Sequence, residues 1–316
     1  MSKYRNSLPQ TKGGMFLTDG GLETTLLFKD GIDLPCFASF PLIEQDDGRA
    51  RMTVYFERFL SLARRRRLGF VLDTPTWRAS RDWGRELGYD EMRLRAVNEA
   101  SVAYVEELRA RWDTPGTPVV TNGVIGPRGD GYKAGRMEAD EAQDYHAFQA
   151  EIFAKSTVDM ISAITMNTVN EAIGIARAAK SVAMPCVISF TVETDGRLAD
   201  GASLRQAVER TDEATGGAPV YYMINCAHPT HFEGAIRSGE RWLDRVWGIR
   251  ANASEKSHAE LDDSTELDEG DAADLGRRYR DMSRLMPRLR VLGGCCGTDH
   301  HHLGMICEAC LPAQAA

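Results

Sequence analysis

The chain has 316 residues, of which 38 are basic and 46 acidic, so its formal net charge is −8. Its 43% hydrophobic and 27% charged residues are ordinary for a globular protein and exclude disorder, collagen and coiled coil for most of the chain. The acidic balance argues against nucleic acid as a main partner, and the polar first residues without any long apolar stretch argue against a membrane, so we expect a cytoplasmic protein.

Short β-rich runs alternate along the chain with longer stretches of helical spacing. Strands are predicted at residues 15–18, 70–73, 119–122, 160–164, 186–190, 220–225, 245–250 and 290–292. Helices are predicted at residues 50–67, 91–112, 138–159, 170–181, 203–215, 231–238 and 271–286. Eight such units predict an α/β fold, a single (β/α)8 barrel over residues 15–311, with a flexible segment at 1–14 and a tail at 312–316.

An open, doubly wound sheet is the competing fold. Such a sheet carries a glycine-rich phosphate turn after an early strand. Gly129, Gly131 and Gly135 have the wrong spacing for that turn, and the pair Gly20-Gly21 lacks the third glycine. The sequence therefore favours the barrel over a nucleotide-binding sheet.

Polar, glycine and cysteine residues follow the predicted strands. In a barrel, the loops after the strands converge at one mouth, which is where chemistry collects. The residues that fall there are Asp19 and Gly20 after the first strand, Trp77 after the second, Glu193 after the fifth, Cys226 after the sixth, Asn252 after the seventh, and Cys295 and Cys296 after the eighth. The site is therefore expected at this mouth.

The seven cysteines, without a secretion signal, argue against a disulfide scaffold. Cys226, Cys295 and Cys296 could meet as a three-sulfur site with one position open, which is the layout of a catalytic zinc. In the alternative, Cys295 and Cys296 join Cys307 and Cys310 in a closed structural zinc site, which leaves Cys226 unexplained. The sequence favours the three-sulfur site.

From about residue 15 to residue 306, the chain resembles the zinc-dependent homocysteine S-methyltransferase family. The resemblance rests on Thr18-Asp19-Gly20-Gly21 followed by Glu23-Thr24, on Thr74-Pro75-Thr76-Trp77-Arg78-Ala79-Ser80, which is similar to the family's TxTYQAS, on Asn225-Cys226, on Asn252, and on Gly293-Gly294-Cys295-Cys296-Gly297-Thr298. It implies a (β/α)8 barrel with Zn²⁺ held by Cys226, Cys295 and Cys296. It also implies an enzyme that moves a methyl group from an onium donor, such as S-methylmethionine, to the thiol of homocysteine and so makes methionine.

The chemistry of these partners indicates further candidates. The zinc would hold the acceptor thiol deprotonated, and a cationic donor would favour aromatic faces and carboxylates. Trp77, Tyr132 and Glu193 suit the donor by their predicted position, and Asp19, Gly20 and Asn252 are the other expected substrate contacts. The expected partners are thus a small-molecule thiol and a methyl donor, without nucleic acid or membrane, and homo-oligomerisation stays open.

One departure from the family affects the acceptor. Members of the family end the fourth strand with a Glu that binds the amino group of homocysteine, and a second Glu follows seven residues later. Here the first position is Ile164, whereas the second is retained as Glu171. Either Glu193 or Asp19 replaces the missing acid, or the acceptor is a different thiol or selenol; a non-catalytic zinc-binding barrel is the remaining alternative.

Overall fold

The computed structural model describes residues 2–311, in which eight parallel strands close into one barrel. Strands β1 to β8 span Phe16–Leu17, Gly69–Asp73, Val119–Ile125, Met160–Met166, Cys186–Phe190, Tyr221–Asn225, Val246–Ala251 and Val291–Gly294. Each strand pairs with the next, and β8 closes the barrel by pairing with β1, where Val291 lies opposite Phe16. The predicted (β/α)8 fold is confirmed; the predicted tail at 312–316 lies outside the described residues.

Helices surround the barrel. Helices α1 to α11 span Leu22–Thr24, Asp46–Arg66, Arg81–Glu86, Glu91–Trp112, Ala139–Lys155, Val169–Ser181, Leu204–Thr215, Pro229–Ile236, His258–Asp262, Ala272–Leu285 and His300–Cys310. The seven predicted helices are present with small shifts at their ends, and α1, α3, α9 and α11 are additional. Within residues 2–311, no helix is long and apolar enough to cross a membrane.

Local sequence explains where the main helices begin and end. Helix α2 carries Asp46 and Asp47 in its first turn and three arginines in its last, which complements the helix dipole. Helix α7 begins with a capping box between Ser203 and Gln206 and ends at Gly216, whose φ of 66° is the left-handed conformation of a helix stop. These signals explain why the predicted bounds of such helices are close to the observed ones.

Two apolar layers hold the barrel together. The larger lies between strands and helices and contains Phe56, Phe153 and Phe232, all fully buried. The smaller fills the barrel itself with strand residues such as Val120 and Val187. Because apolar side chains fill the barrel, the polar residues at the carboxyl ends of the strands form a separate site above a packed core.

Part of the N-terminal segment, which the sequence predicts to be flexible, contacts the barrel. The guanidinium of Arg5 donates hydrogen bonds to the carbonyls of Ala154 at 2.9 Å and Val158 at 2.7 Å, at the carboxyl end of α5. Leu8 packs with the strand residues that fill the barrel, and Gln10 is buried beside Tyr221. These three residues are therefore held by contacts that are distant in sequence and have no local signature.

Candidate metal centre

Three thiols meet at the mouth of the barrel. Cys226 directly follows β6, and Cys295 and Cys296 directly follow β8. Their sulfur atoms lie within 4.8 Å of one another, and the Sγ atoms of Cys226 and Cys296 are 3.6 Å apart. In the part of the chain that the structure describes, this is the one group of three or more potential metal ligands that converges in this way.

The spacing of the sulfur atoms fits a tetrahedral Zn²⁺. Zn–S bonds of about 2.3 Å at tetrahedral angles place sulfur atoms roughly 3.8 Å apart. The 3.6 Å between two of the sulfurs and the 4.8 Å limit for the group require only small side-chain adjustments to reach that distance. Three soft thiolates suit zinc and leave a fourth position for another ligand.

Hydrogen bonds fix the backbone at Cys226. Its φ of 54° is left-handed, which a non-glycine residue adopts only when its surroundings require it. Its carbonyl accepts hydrogen bonds from Thr191 Oγ1 at 3.2 Å, Asn252 Nδ2 at 3.1 Å and His258 Nε2 at 2.5 Å. The other ring nitrogen of His258 is 2.6 Å from Glu193 Oε1, so this ring connects the Cys226 loop to β5.

Asn225 explains why an asparagine precedes this cysteine. Its side-chain oxygen accepts from the Ser189 hydroxyl at 2.6 Å and from the backbone N–H of Thr165 at 3.0 Å, and its amide nitrogen donates to Thr165 Oγ1 at 2.8 Å. These bonds connect the ends of β4, β5 and β6 beneath Cys226. The pair Asn225-Cys226 is thus one unit, in which the first residue positions the second.

Glycines permit the turn that presents Cys295 and Cys296. A Cβ atom on Gly294 would lie 2.0 Å from Thr298 Oγ1, so only glycine fits there. Gly297 has a φ of 78°, which is in the left-handed region that favours glycine. The hydroxyl of Thr298 donates to the Cys295 carbonyl at 2.7 Å and closes the turn.

Electrostatics favour a negative charge on one of the three thiols, Cys295, whereas the hydrogen bonds among the sulfurs and burial raise the pKa of Cys226 and Cys296 well above the ordinary value. Hydrogen bonds from Cys226 and Cys296 hold the pKa of the Cys295 thiol well below its ordinary value, and Arg250 acts in the same direction. The Tyr132 hydroxyl lies 3.2 Å from Cys226 Sγ, while its ring stacks on His258 with 3.9 Å between centroids. Burial raises the pKa of Tyr132, so this hydroxyl is neutral.

An inner cavity of about 660 Å³, which includes space open to solvent, lies beside the three thiols. One wall is a buried ion-pair cluster in which Arg250 donates to Asp19 and to Asp73, at 2.5 Å each. Burial raises the pKa of Asp19 to about 7, against the opposing effect of Arg250. Asp19 therefore lines the cavity as expected, but its carboxylate is already paired with a guanidinium.

Glu23 supplies the inner cavity with a carboxylate that the sequence did not single out as a contact. Glu23 lies in α1. Both Glu23 and Ile164 line the inner cavity. One oxygen of Glu23 accepts a hydrogen bond from Ser39 at 2.7 Å, and burial raises the pKa of its carboxyl group. An acid in the first turn after a strand-end glycine pair is the signal that could have identified it.

An outer chamber of about 1070 Å³, which includes space open to solvent, continues from the inner cavity. The two share five lining residues, namely Thr24, Phe37, Trp77, Tyr132 and Cys296. The outer chamber adds Arg78 and four acids, namely Asp130, Asp262, Glu266 and Asp268. Cys296 thus lies where the two spaces meet.

The expected substrate contacts divide into two groups. Trp77 lines both spaces and donates from its ring nitrogen to the Ile164 carbonyl at 3.1 Å, and Gly20 lines the inner cavity. Glu193 and Asn252 line neither space. Glu193 instead contacts His258, which is bonded to the Cys226 carbonyl, and Asn252 donates a hydrogen bond to that carbonyl directly. Tyr132, considered for the donor, lines both spaces and contacts the thiols.

Cys307 and Cys310 do not belong to the converging thiols. Both lie in the last turns of α11, and Cys307 is fully buried in the apolar layer between helices and strands. Burial raises the pKa of Cys307 to about 11, as expected for an inert thiol. The arrangement therefore favours the three-sulfur site over the four-cysteine site.

Comparisons with known proteins agree with this geometry. The family model for homocysteine S-methyltransferase matches residues 16–310. Two solved structures of the homocysteine methyltransferase MmuM from Escherichia coli, an oxidised and a metallated form, superpose with TM-scores of 0.74 and 0.73; each is 18% identical, and each alignment covers 96% of this chain and 99% of the other. The search of curated proteins gave no match.

Proposed function

The chain belongs to the homocysteine S-methyltransferase family, and from this membership we propose how its residues carry out methyl transfer to homocysteine. Cys226, Cys295 and Cys296 hold Zn²⁺, the inner cavity receives the acceptor thiol, and the outer chamber receives an onium methyl donor. The observation that carries the proposal is the convergence of three sulfur atoms within 4.8 Å between the two spaces.

Zinc held by three thiolates lowers the pKa of a further thiol so that its sulfur is anionic and nucleophilic at neutral pH. The residues of the chain then bring the two substrates together. Transfer forms a bond between the methyl carbon and the acceptor sulfur and breaks the bond to the onium heteroatom, which keeps the electron pair and becomes neutral. The aromatic side chains of Trp77 and Tyr132 line both spaces, where they favour a cationic donor and reduce access of water.

Glu23 is the acid that we assign to the ammonium group of homocysteine. Ile164 cannot bind a cation, Asp19 is paired with Arg250, and Glu193 is paired with His258. Glu23 lines the inner cavity with one oxygen bonded to Ser39 and no arginine or lysine ion pair among the described residues. Because a buried ammonium needs an anionic partner, this carboxylate replaces the acid that the family has at position 164.

A matched pair of cysteine variants tests the metal site. We expect Cys226→Ser to lose zinc and to lose methyl transfer from S-methylmethionine to homocysteine by at least about 100-fold, because an alcohol is a poor zinc ligand. Cys307→Ser, the control, keeps both. Zinc content by elemental analysis and methionine formation are the measurements. Zinc retained in Cys226→Ser but lost in Cys307→Ser would support the four-cysteine structural site instead.

A further inference from the structure

Arg78 is a rigidly held guanidinium in the wall of the outer chamber. The residue is only 9% exposed and lines that chamber but not the inner cavity. Its guanidinium carbon lies 4.3 Å from the ring centroid of Trp77 and 3.9 Å from that of Trp83. Stacking on two indoles fixes the plane of the guanidinium, so its hydrogen bonds are made at the edge of that plane.

Among the described residues, the guanidinium of Arg78 has no salt-bridge partner. One nitrogen donates to the Gly129 carbonyl at 2.8 Å, whereas the buried Nε has no hydrogen-bond partner. Within residues 2–311, Arg78 forms no salt bridge, and burial lowers its pKa while Asp130 and Glu23 offset this only from a distance. An unpaired buried cation is costly, so the fold retains a group that an anionic ligand would satisfy.

We propose that Arg78 binds the carboxylate of the methyl donor, so that the enzyme selects onium carboxylates over simple onium ions. The inference rests on the proposed function, which assigns the outer chamber to the donor. The other substrate, the acceptor thiol, is assigned to the inner cavity, whose lining includes Glu23 but not Arg78.

The outer chamber has the charge pattern that such a donor requires. Arg78 supplies a single cation, while Trp77 and Tyr132 supply aromatic faces near Cys296. Four acids line the rest of the chamber, as described above, and suit positive groups. A molecule with a carboxylate at one end and an onium methyl at the other matches this distribution, with the methyl directed to the junction at Cys296.

The sequence adds an independent argument. In the segment that resembles TxTYQAS, Arg78 takes the place of glutamine. Glutamine can donate a neutral hydrogen bond, but it cannot form the two-pronged, charged contact of a guanidinium with a carboxylate. Arg78→Gln is therefore a conservative test of the charge, because glutamine is the residue that the family tolerates there.

The experiment compares donors with and without a carboxylate. S-methylmethionine, glycine betaine and trimethylsulfonium are titrated calorimetrically into zinc-loaded wild type, Arg78→Gln and Arg78→Lys without acceptor, and the KM of each donor is measured with homocysteine. We expect Arg78→Gln to weaken the carboxylate donor by about 10- to 100-fold and trimethylsulfonium by less than about twofold. Arg78→Lys should recover part of the loss. Arg85→Gln, an exposed arginine of α3, is the control and should match wild type.

Three outcomes overturn the proposal. Unchanged binding of both carboxylate donors by Arg78→Gln shows that the guanidinium contacts neither. Equal losses for trimethylsulfonium and for the carboxylate donors, with a lowered Tm, show a purely structural role. The proposal is also contradicted if the wild-type protein binds neither S-methylmethionine nor glycine betaine more tightly than trimethylsulfonium. Arg78-dependent binding without methyl transfer to any thiol would instead leave this inference standing and refute the proposed function.

Discussion

In our proposal, Ile164 and Glu23 together determine how the inner cavity binds an amino acid. An ammonium group placed against Ile164 alone would lose its hydration without gaining a partner. Glu23 lines the same cavity and is the acid to which we assign that ammonium. In our proposal, the acid that binds the acceptor of this chain therefore lies in the helical turn after β1 and not at the end of β4.

Replacing Glu23 tests this assignment. We expect Glu23→Gln to raise the KM for homocysteine by about 10-fold or more, with a smaller effect on kcat, since the lost contact is made before and during transfer alike. Its KM for the deaminated analogue, a mercaptobutyrate, should stay near that of wild type, and the exposed Glu99→Gln is the control. If wild type prefers the mercaptobutyrate and Glu23→Gln changes neither KM, the acceptor is a thiol without the amino group.

His258 holds Cys226 through the backbone without touching the metal position itself. His258→Phe keeps a ring to stack on Tyr132 but removes the bonds to the Cys226 carbonyl and to Glu193. Loss of such a supporting contact typically costs about 10- to 100-fold in metal affinity. We expect that loss in chelator-competition titrations of zinc, while His301→Phe, on the exposed start of α11, stays at the wild-type value. An unchanged zinc affinity of His258→Phe would mean that the hydrogen bonds from Thr191 and Asn252 are enough to hold the Cys226 backbone.

Site residues that belong to local sequence motifs could be predicted, whereas contacts between residues distant in sequence could not. The cysteines could be placed because each follows a strand end and two are adjacent among glycines. The pairing of Asp19 with Arg250 joins residues 231 positions apart and leaves no local trace. Glu193 and Asn252 were predicted at the correct mouth, but sequence position alone does not show whether a side chain faces the cavity or the backbone of Cys226.

Among the elements, α11 contains a charged cap that should respond to pH. Asp299 accepts from the backbone N–H of His301 and His302, and the His302 ring lies 2.9 Å from its carboxylate. Lys29 contacts Asp299 from outside the helix. Burial lowers the pKa of His302, but Asp299 and the Glu269 carbonyl outweigh it and raise that pKa, while His302 and Lys29 depress the pKa of Asp299.

The sign of the pH effect follows from these directions. The raised pKa of His302 adds stability that is complete below its ordinary value of about 6.5 and is lost as the pH rises through the folded value. The depressed pKa of Asp299 adds stability that is present above about 3.9 and lost in more acidic solution. We therefore expect Asp299→Asn to lower the free energy of unfolding more at pH 5.5 than at pH 8.5 in urea titrations. An equal or larger loss at pH 8.5 would contradict this.

The elements themselves were mostly visible in the sequence, but helices α1, α3, α9 and α11 and the contacts of the N-terminal segment were not predicted. Strands alternate with helical spacing often enough to count eight units, and caps mark several helix ends. The N-terminal segment escaped prediction because Arg5 and Leu8 are held by α5 and the barrel interior, which are remote in sequence. Helices α3 and α9 escaped because six and five residues are too few to show a helical period.

At the scale of the whole molecule, closure of the barrel places the residues of the site next to one another. Residues from the ends of β1, β6 and β8 are separated by up to 277 positions, as between Asp19 and Cys296, yet they line one cavity. The count of eight units predicted this convergence. The division into two connected spaces was not predictable, because it depends on where long loops such as those that contain Tyr132 and Asp262 cross the mouth.

X-ray absorption at the zinc edge tests the central claim, that zinc is held by three protein sulfurs with a fourth position for the acceptor. We expect three sulfur neighbours at about 2.3 Å in the zinc-loaded protein and four after homocysteine is added. The numbers of sulfur neighbours before and after homocysteine is added should be the same in Cys307→Ser and Cys310→Ser as in wild type. Four sulfurs before homocysteine is added, falling when Cys307 or Cys310 is replaced, would contradict the account.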